Sequence, residues 1–397
     1  NRINEERGKV SLWQDKGTLL PSLSFNTNQG VGYRPFTEVI SIVQGDQVTI
    51  TRSNVTYQGT YGLNANVTLW NGGINHKNIK AQELQNQITA LATEQSELTI
   101  QEQIAQLYVQ IMYTREAEKV NEQLLATAQS QYNRGVEMMA QGQMAKADVI
   151  QLEAQLNSAK YSVINSKTQL ANYKRQLKAL LELDLYTPFD ITGNIPTDEQ
   201  VLSLVPSAQE AYSKALEMRP EIKSAELSIE AANMQLDIAR RGFLPTIGAS
   251  ASLGSNHSTG SKNGWGEQMK TNLNMSAGLN FSVPIFDNRR NMTNVKNAKL
   301  QQVTSKLDLQ DKKNTLSNTI EQYWLNANNG QQNYIAAKSR AKSQKASYEL
   351  LNEQFQNGLK NTVDVLQGRD NVISAEQDMA LLYIQLLKFY TGEKLEL

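Results

Sequence analysis

The 397-residue chain has no cysteine, two histidines (His76 and His257), eight prolines and no surplus of either charge, with 39 Lys and Arg against 39 Asp and Glu. The missing cysteines exclude disulfides and thiolate-bound zinc within the chain. Two histidines exclude a multi-histidine metal site in one copy. The balanced charge argues against general binding to nucleic acid or to an anionic membrane surface, which needs a basic excess. No stretch approaches the roughly 20 apolar residues of a spanning helix. That test is blind to β-barrel strands, whose alternation carries a weak hydropathy signal. No nucleophile–base pair, metal cluster or phosphate loop stands out, so neither an enzyme nor a cofactor is expected. The chain begins at Asn1 rather than Met and shows no signal peptide, which reads as a trimmed or mature form.

What is present is a tandem repeat. Gly62-Leu63-Asn64-Ala65-Asn66-Val67-Thr68-Leu69-Trp70-Asn71 matches Gly278-Leu279-Asn280-Phe281-Ser282-Val283-Pro284-Ile285-Phe286-Asp287. Leu20-Pro21 upstream matches Leu244-Pro245. Downstream, Gln131 to Gly135 resembles Gln354 to Gly358, and Asp148-Val149 matches Asp364-Val365. The first repeat is expected over 1–183: a helix end, strands at about 22–33 and 57–70, a helix at about 74–134, a tip at about 135–147 and a return helix at about 148–183. The second is expected over 207–397: a helix at about 207–241, strands at about 246–254 and 271–286, a helix at about 288–356, a tip at about 357–362 and a return helix at about 363–391. Between them, 184–206 carries Pro188, Gly193, Pro196 and Pro206 and reads as an irregular connector, expected to form a belt with the segment after Gly392. Because a full helix precedes the second Leu-Pro, the first helix is expected to begin upstream of Asn1. On this alignment Val136 to Ala147 is an insertion of about seven residues, expected to lengthen the first hairpin by about one heptad per arm or to form a longer turn.

The strand segments alternate strictly. Leu23, Phe25, Thr27, Gln29, Val31 and Tyr33 oppose Ser24, Asn26, Asn28, Gly30 and Gly32; Leu273, Met275, Ala277, Leu279 and Phe281 oppose Asn274, Ser276, Gly278, Asn280 and Ser282. Period two places each set on one face. The polar sets are Ser, Asn, Gly and Thr, almost without charge, which suits the wall of a water-filled lumen. A soluble sheet with one wet face is the alternative. Tyr33, Tyr57, Tyr61, Trp70 and Phe286 lie near strand ends, where interfacial aromatic girdles sit. Four strands cannot close a barrel, and an open edge in lipid has no partner. A membrane barrel would therefore be shared, eight strands from a dimer or twelve from a trimer. The loop at about 34–56 reads as a protruding hairpin around Gly45-Asp46, and the Gly-, Ser- and Asn-rich loop at about 255–270 as mobile.

The helical segments are long. From about Asn75 to Tyr132 there is neither Pro nor Gly, a helix of about 85 Å; the second would reach about 100 Å. Ile320, Tyr323, Ala327, Gly330, Tyr334, Ala337, Ala341, Gln344, Tyr348, Leu351 and Phe355 recur at spacings of three and four, a coiled-coil seam. A poreless coiled-coil protein of the periplasm or cell surface is the competing reading.

Met218-Arg219-Pro220-Glu221-Ile222 opening a helix, Ala239-Arg240-Arg241-Gly242-Phe243-Leu244-Pro245 closing one, Ser282-Val283-Pro284-Ile285-Phe286-Asp287 at the strand-to-helix switch, and Phe355 to Gly358 leading to Val363-Asp364-Val365-Leu366 together resemble the outer-membrane efflux protein (TolC) family over nearly the whole chain. The resemblance implies a mixed all-α/β-barrel membrane protein. Three protomers would share a twelve-stranded barrel in the outer membrane of a Gram-negative bacterium, with coiled-coil helical hairpins forming a periplasmic tunnel. Its partners would be a periplasmic adaptor and an inner-membrane resistance-nodulation-division or ABC transporter, with no nucleic acid. It implies a gate at the hairpin tips formed by Asp364, Asp148 and Lys360, the lysine reaching a neighbouring helix or Asp148, and adaptor-contacting tip glycines at Gly135 and Gly358. Gln367 stands where some members have a second Asp, so the charge ring is weaker here. Asp148 and Asp364 also read as helix N-caps. Met138, Met139 and Met144 near the first tip read as adaptable packing, with soft-metal binding as the alternative.

Overall fold

The computed structural model describes residues 1–397 except 34–39, 44–45, 50–54, 185, 193–197, 199–201, 204, 260, 262, 358, 361 and 397. The expected hairpin turn at Gly45 lies outside the described residues; the flanking strands β2 (Ile40–Val43) and β3 (Asp46–Thr49) pair antiparallel. The other strands are β1 (Ser22–Tyr33), β4 (Val55–Trp70), β5 (Thr246–Ser258) and β6 (Asn274–Ser282). The helices are α1 (Arg2–Gly17), α2 (Ile74–Ala140), α3 (Lys146–Leu180), α4 (Ala208–Met218), α5 (Pro220–Arg241), α6 (Trp265–Thr271), α7 (Arg290–Gln356) and α8 (Thr362–Glu396). The chain divides into two units, one of Asn1–Ala92 with Ser224–Gln310 and one of Thr93–Lys223 with Asp311–Leu397.

The first unit holds a four-stranded antiparallel sheet ordered β1-β4-β5-β6. Its register carries the alternation of each strand across the sheet as far as an irregularity between Thr68 and Trp70. Phe25, Leu63, Leu253 and Met275 form one row, and the adjacent row is Ser24, Asn64, Ser252 and Ser276. Ser252 and Ser276 hydroxyls meet at 2.7 Å on the polar face. β1 and β6 are exposed throughout, and among the described residues each has one edge without a neighbouring strand.

Both halves make the strand-to-helix switch with the same device. The Asn71 side-chain oxygen accepts from the Asn75 amide at 3.3 Å, and the Asp287 carboxylate from the Asn291 amide at 2.8 Å. Two left-handed residues follow each: Gly72 and Gly73 (φ 70° and 78°) in the first half, Asn288 and Arg289 (φ 55° and 65°) in the second. The α5 end is tied to these switches by an Arg241 guanidinium bond to the Gly72 carbonyl and by Asn291 donating to the Gly242 carbonyl at 2.7 Å.

Three expectations change here. The helix expected over 207–241 is two, because the residue before a proline is driven out of the helical region. Arg219 is extended at ψ 124°, and Pro220 opens α5. The loop expected to be mobile holds α6: Gln268 is buried, accepts from the Ser258 amide at 2.8 Å and donates to the Asn263 carbonyl at 2.6 Å. His257, read as a loop residue, lies in β5, stacked on Tyr61 with Trp265 edge-on.

The second unit contains two αα-hairpins and the connector. α3 buries Val149, Leu152, Leu156, Val163 and Leu177 at helical spacing. α7 buries Ile320, Ala327, Tyr334 and Ala341, one every seventh residue, with Ala337 between; Tyr323 of the expected seam is exposed. The tip turn corrects the alignment. α2 runs through Gly135 to Ala140 and ends in a Schellman motif at Gly142 (φ 73°), with Gly142 N donating to Met139 O (3.0 Å) and Gln143 N to Met138 O (2.8 Å). In the second hairpin Leu359 N donates to Gln354 O at 2.8 Å, the same closure. Gly142 therefore answers to Gly358, which itself lies outside the described residues. α2 and α7 each have 67 residues, and α3 and α8 each have 35. Val136 to Ala147 is not an insertion. A seven-residue slip keeps every apolar stripe of a heptad pattern in place, so the slipped and true alignments look alike.

Candidate functional site

Two surfaces bear on transport: the polar face of the sheet and the hairpin tips. The polar face offers rows of Ser, Asn, Gly and Thr with no charged side chain on the four paired strands. Such a face suits the wall of a water-filled lumen. The opposite face exposes Leu23, Phe25, Leu63, Met275, Leu279 and Phe281. In water that band carries a large hydrophobic penalty; against lipid it is the stable surface.

At the tips, Asp148 and Asp364 occupy the same place, third in α3 and third in α8. Neither is the N-cap read from sequence. Ala145 takes that position in α3 without a side-chain cap bond. A carboxylate in the first turn is favoured by the unpaired amides there. Lys360 Nζ lies 3.8 Å from Asp364 Oδ2, with both side chains about 40% exposed, so the lysine meets its own hairpin's acid rather than Asp148. An exposed pair of this length contributes little to stability. Met144 stands in the first hairpin where Lys360 stands in the second, and Lys146 where Thr362 stands, so each tip carries one lysine at a different position. Gly135, read as a tip glycine, is buried inside α2, where a Cβ would lie 2.6 Å from Leu152 Cδ1. Its role is close approach of the two arms.

The Arg369 side chain was missed from sequence. It is 8% exposed; Nη2 donates to Gln155 Oε1 on α3 at 2.8 Å and pairs with Asp370 at 3.0 Å. It thus joins the two hairpins beside a cavity of about 190 Å³ lined by Asn121, Thr127, Gln155, Ser158 and Ser162. Gly368, next to it, where a Cβ would lie 2.7 Å from Leu351 Cδ1, was the available signal that this stretch is packed.

The outer membrane efflux protein family matches residues 14–182 and 211–388. The chain is 22% identical over 325 residues to outer membrane efflux protein BepC of Brucella suis, covering 80% of this chain and 67% of that protein. It is 21% identical over 396 residues to the alkaline protease secretion protein AprF of Pseudomonas aeruginosa (98% and 79%) and 25% identical over 252 residues to TolC of Escherichia coli (60% and 49%). The fold superposes on the CmeC outer membrane channel of Campylobacter jejuni with a TM-score of 0.78 at 21% identity, over 99% of this chain and 80% of that one. The open-state MtrE channel of Neisseria gonorrhoeae gives 0.78 at 18% identity, over 99% and 84%. Family members are channels rather than enzymes, which disposes of the poreless reading, and the four open-edged strands are one protomer's share of a twelve-stranded trimeric barrel. The chain belongs to the outer membrane efflux protein family, as a protomer of an outer-membrane exit duct with a periplasmic helical tunnel.

Proposed function

We propose that the duct is closed at its inner entrance by the hairpin tips, with Asp364 as a ring of three acids around the axis and Asp148 as the matching acid of the other hairpin. The observation that carries this is the equivalent placement of the two carboxylates at the first turns of the return helices. Three like charges around a narrow axis attract cations and resist anions. Lys360 beside Asp364 partly offsets that ring, and its movement away would strengthen it.

The tip turns, Gly142 in the first hairpin and its sequence counterpart Gly358 in the second, are the proposed contact for a periplasmic adaptor, with an inner-membrane resistance-nodulation-division or ABC transporter supplying the energy. The proposed cargo is small toxic molecules or secreted proteins. The uncharged lumen face favours a passive path of broad tolerance, and relatives include an antibiotic efflux pump outer membrane protein (ArpC) and the protease secretion protein AprF. The half-buried Met138 and Met139 lend their carbonyls to the tip turn, and Met144 packs near Gly135; packing is their proposed role. Single-channel recording in a planar bilayer tests the gate. Asp364→Asn should reduce cation selectivity while leaving the trimer intact; unchanged selectivity would remove the acid ring from the mechanism.

A further inference from the structure

The connector between the repeats touches both hairpins, each time through one carboxylate and one apolar plug. On the first hairpin, Asp190 pairs with Arg115 of α2 and with Lys174 Nζ of α3 at 3.0 Å. Phe189 and Ile191 beside it pack on Ile111, Met112 and Leu177. On the second hairpin, Asp198 accepts from the Tyr334 hydroxyl of α7 at 2.8 Å and pairs with Lys338. Leu202 packs against a cluster in which Tyr334 and Leu386 of the second hairpin meet Val109 of α2.

The two attachments are related by the repeat. Arg115 donates to the Ile191 carbonyl at 3.1 Å, and Gln331 to the Ser203 carbonyl at 2.8 Å. Arg115 and Gln331 stand at equivalent positions of α2 and α7, since 115 follows the α2 start at 74 by as much as 331 follows the α7 start at 290. One site on each hairpin thus grips the connector backbone, and each grip has its own acid. The chain between the acids is short. Eight residue steps span at most about 29 Å when fully extended.

We infer that the connector is a two-point strap, and that Asp190 and Asp198 are positioning residues that limit how far the two hairpins can part and so set the aperture at the tips. The apolar plugs hold the strap to the surface, but they are non-directional and tolerate sliding. The carboxylates, each with two donors from fixed helix positions, define where along the hairpin the strap sits. This strap lies apart from the proposed acid ring and acts on it through the helices.

The absence of cysteine makes a direct test simple. Spin labels at Ser158→Cys on α3 and Gln377→Cys on α8, which line one cavity, report the separation of the hairpins in the full trimer. The wild-type background should give a short, narrow distance. Asp190→Asn with Asp198→Asn should lengthen and broaden it, and raise single-channel conductance several-fold. Exchanging charges by Asp198→Lys with Lys338→Asp should bring both readouts back towards wild type relative to Asp198→Asn alone. An unchanged distance in an assembled double variant overturns the strap whatever the conductance does. So does an exchanged pair no better than Asp198→Asn, which also serves if the double variant does not assemble. The exit-duct reading is judged separately, by whether the wild type conducts at all.

Discussion

The two halves of this chain are the same object built twice, and they differ where it is instructive. From the second strand of each half onward, counterparts lie 216 positions apart (290 less 74, 356 less 140, 362 less 146, 364 less 148). At one such contact the residues are exchanged. In the first hairpin Gly135 faces Leu152; in the second Leu351 faces Gly368. Both solutions let two helices approach with one large and one absent side chain. Which arm carries the leucine is immaterial to packing, and that is why the two sequences diverged there without changing the structure. At the strand-to-helix switch the halves differ in strain: two glycines do in the first half what Asn288 and Arg289 do in the second.

The largest effect should come from what the halves share. Leu63→Arg and Leu279→Arg, equivalent positions on the apolar face, should each cost about 2–4 kcal/mol if near the bilayer midplane. Asn64→Arg and Asn280→Arg on the polar face should leave trimer assembly intact. Heat-modifiable migration of the trimer reads both, and equal tolerance of the two faces would break the barrel assignment. Next, Gly135→Leu should destabilise the first hairpin by about 1–3 kcal/mol through overpacking. Adding Leu152→Gly copies the second hairpin and should recover most of the loss; a double-mutant cycle on thermal unfolding gives the coupling. A cycle without coupling would show that the two hairpins are not packed alike. At the switches, opposite signs are expected. Gly72→Ala meets a left-handed φ and Leu244 Cδ1 at 2.9 Å, and should destabilise by about 1–2 kcal/mol. Asn288→Gly relieves a left-handed non-glycine and should stabilise by up to about 1 kcal/mol, again by thermal unfolding.

The smallest effect concerns pH. Asp190 is held below the usual carboxylate range, chiefly by its bond to Lys174, with Arg115 adding to it. Asp198 is held down by Lys338 and then by Tyr334, whose own hydroxyl is pushed well above its ordinary value, mainly by burial and next by Asp198; the Tyr383 hydroxyl is likewise pushed up, by burial and then by Asp198. A lowered carboxylate stabilises the fold above its unfolded pKa, and that contribution is lost as pH falls through the folded value. The strap should therefore hold unchanged from pH 7 to about 5 and loosen only below about 4. Inter-hairpin label distances across that range check it, and loosening near pH 6 would assign the response to other groups.

Much of this molecule could be read from the chain. Leu63, Asn64 and their neighbours alternate within a few residues, and a strand's two faces are a local property. The long helices follow from length without proline and from seam residues such as Ile320, Ala327 and Tyr334. The tip was misread because Gly135 and Gly142 are one heptad apart, and heptad patterns are blind to a slip of one repeat. Counting back from Asp148-Val149 and Asp364-Val365, which places a glycine at the same distance before each, was the signal that could have found Gly142. In sequence Arg369 is one more cation on a polar helix. Its burial depends on Gln155, 214 residues away, and no local pattern encodes that.

By itself the sequence determined the elements and their faces: four alternating strands, paired long helices, a doubled plan, and the exclusion of thiolate and multi-histidine chemistry. These are consequences of side-chain periodicity along a single element. Only the tertiary structure decided how those faces meet: the strand register that turns separate alternations into continuous rows, the glycine that closes the first tip, the pairing of Lys360 with Asp364, and the grip of both hairpins on one connector. Each depends on contacts between residues far apart in the chain, and distant neighbours leave no periodic trace in either partner.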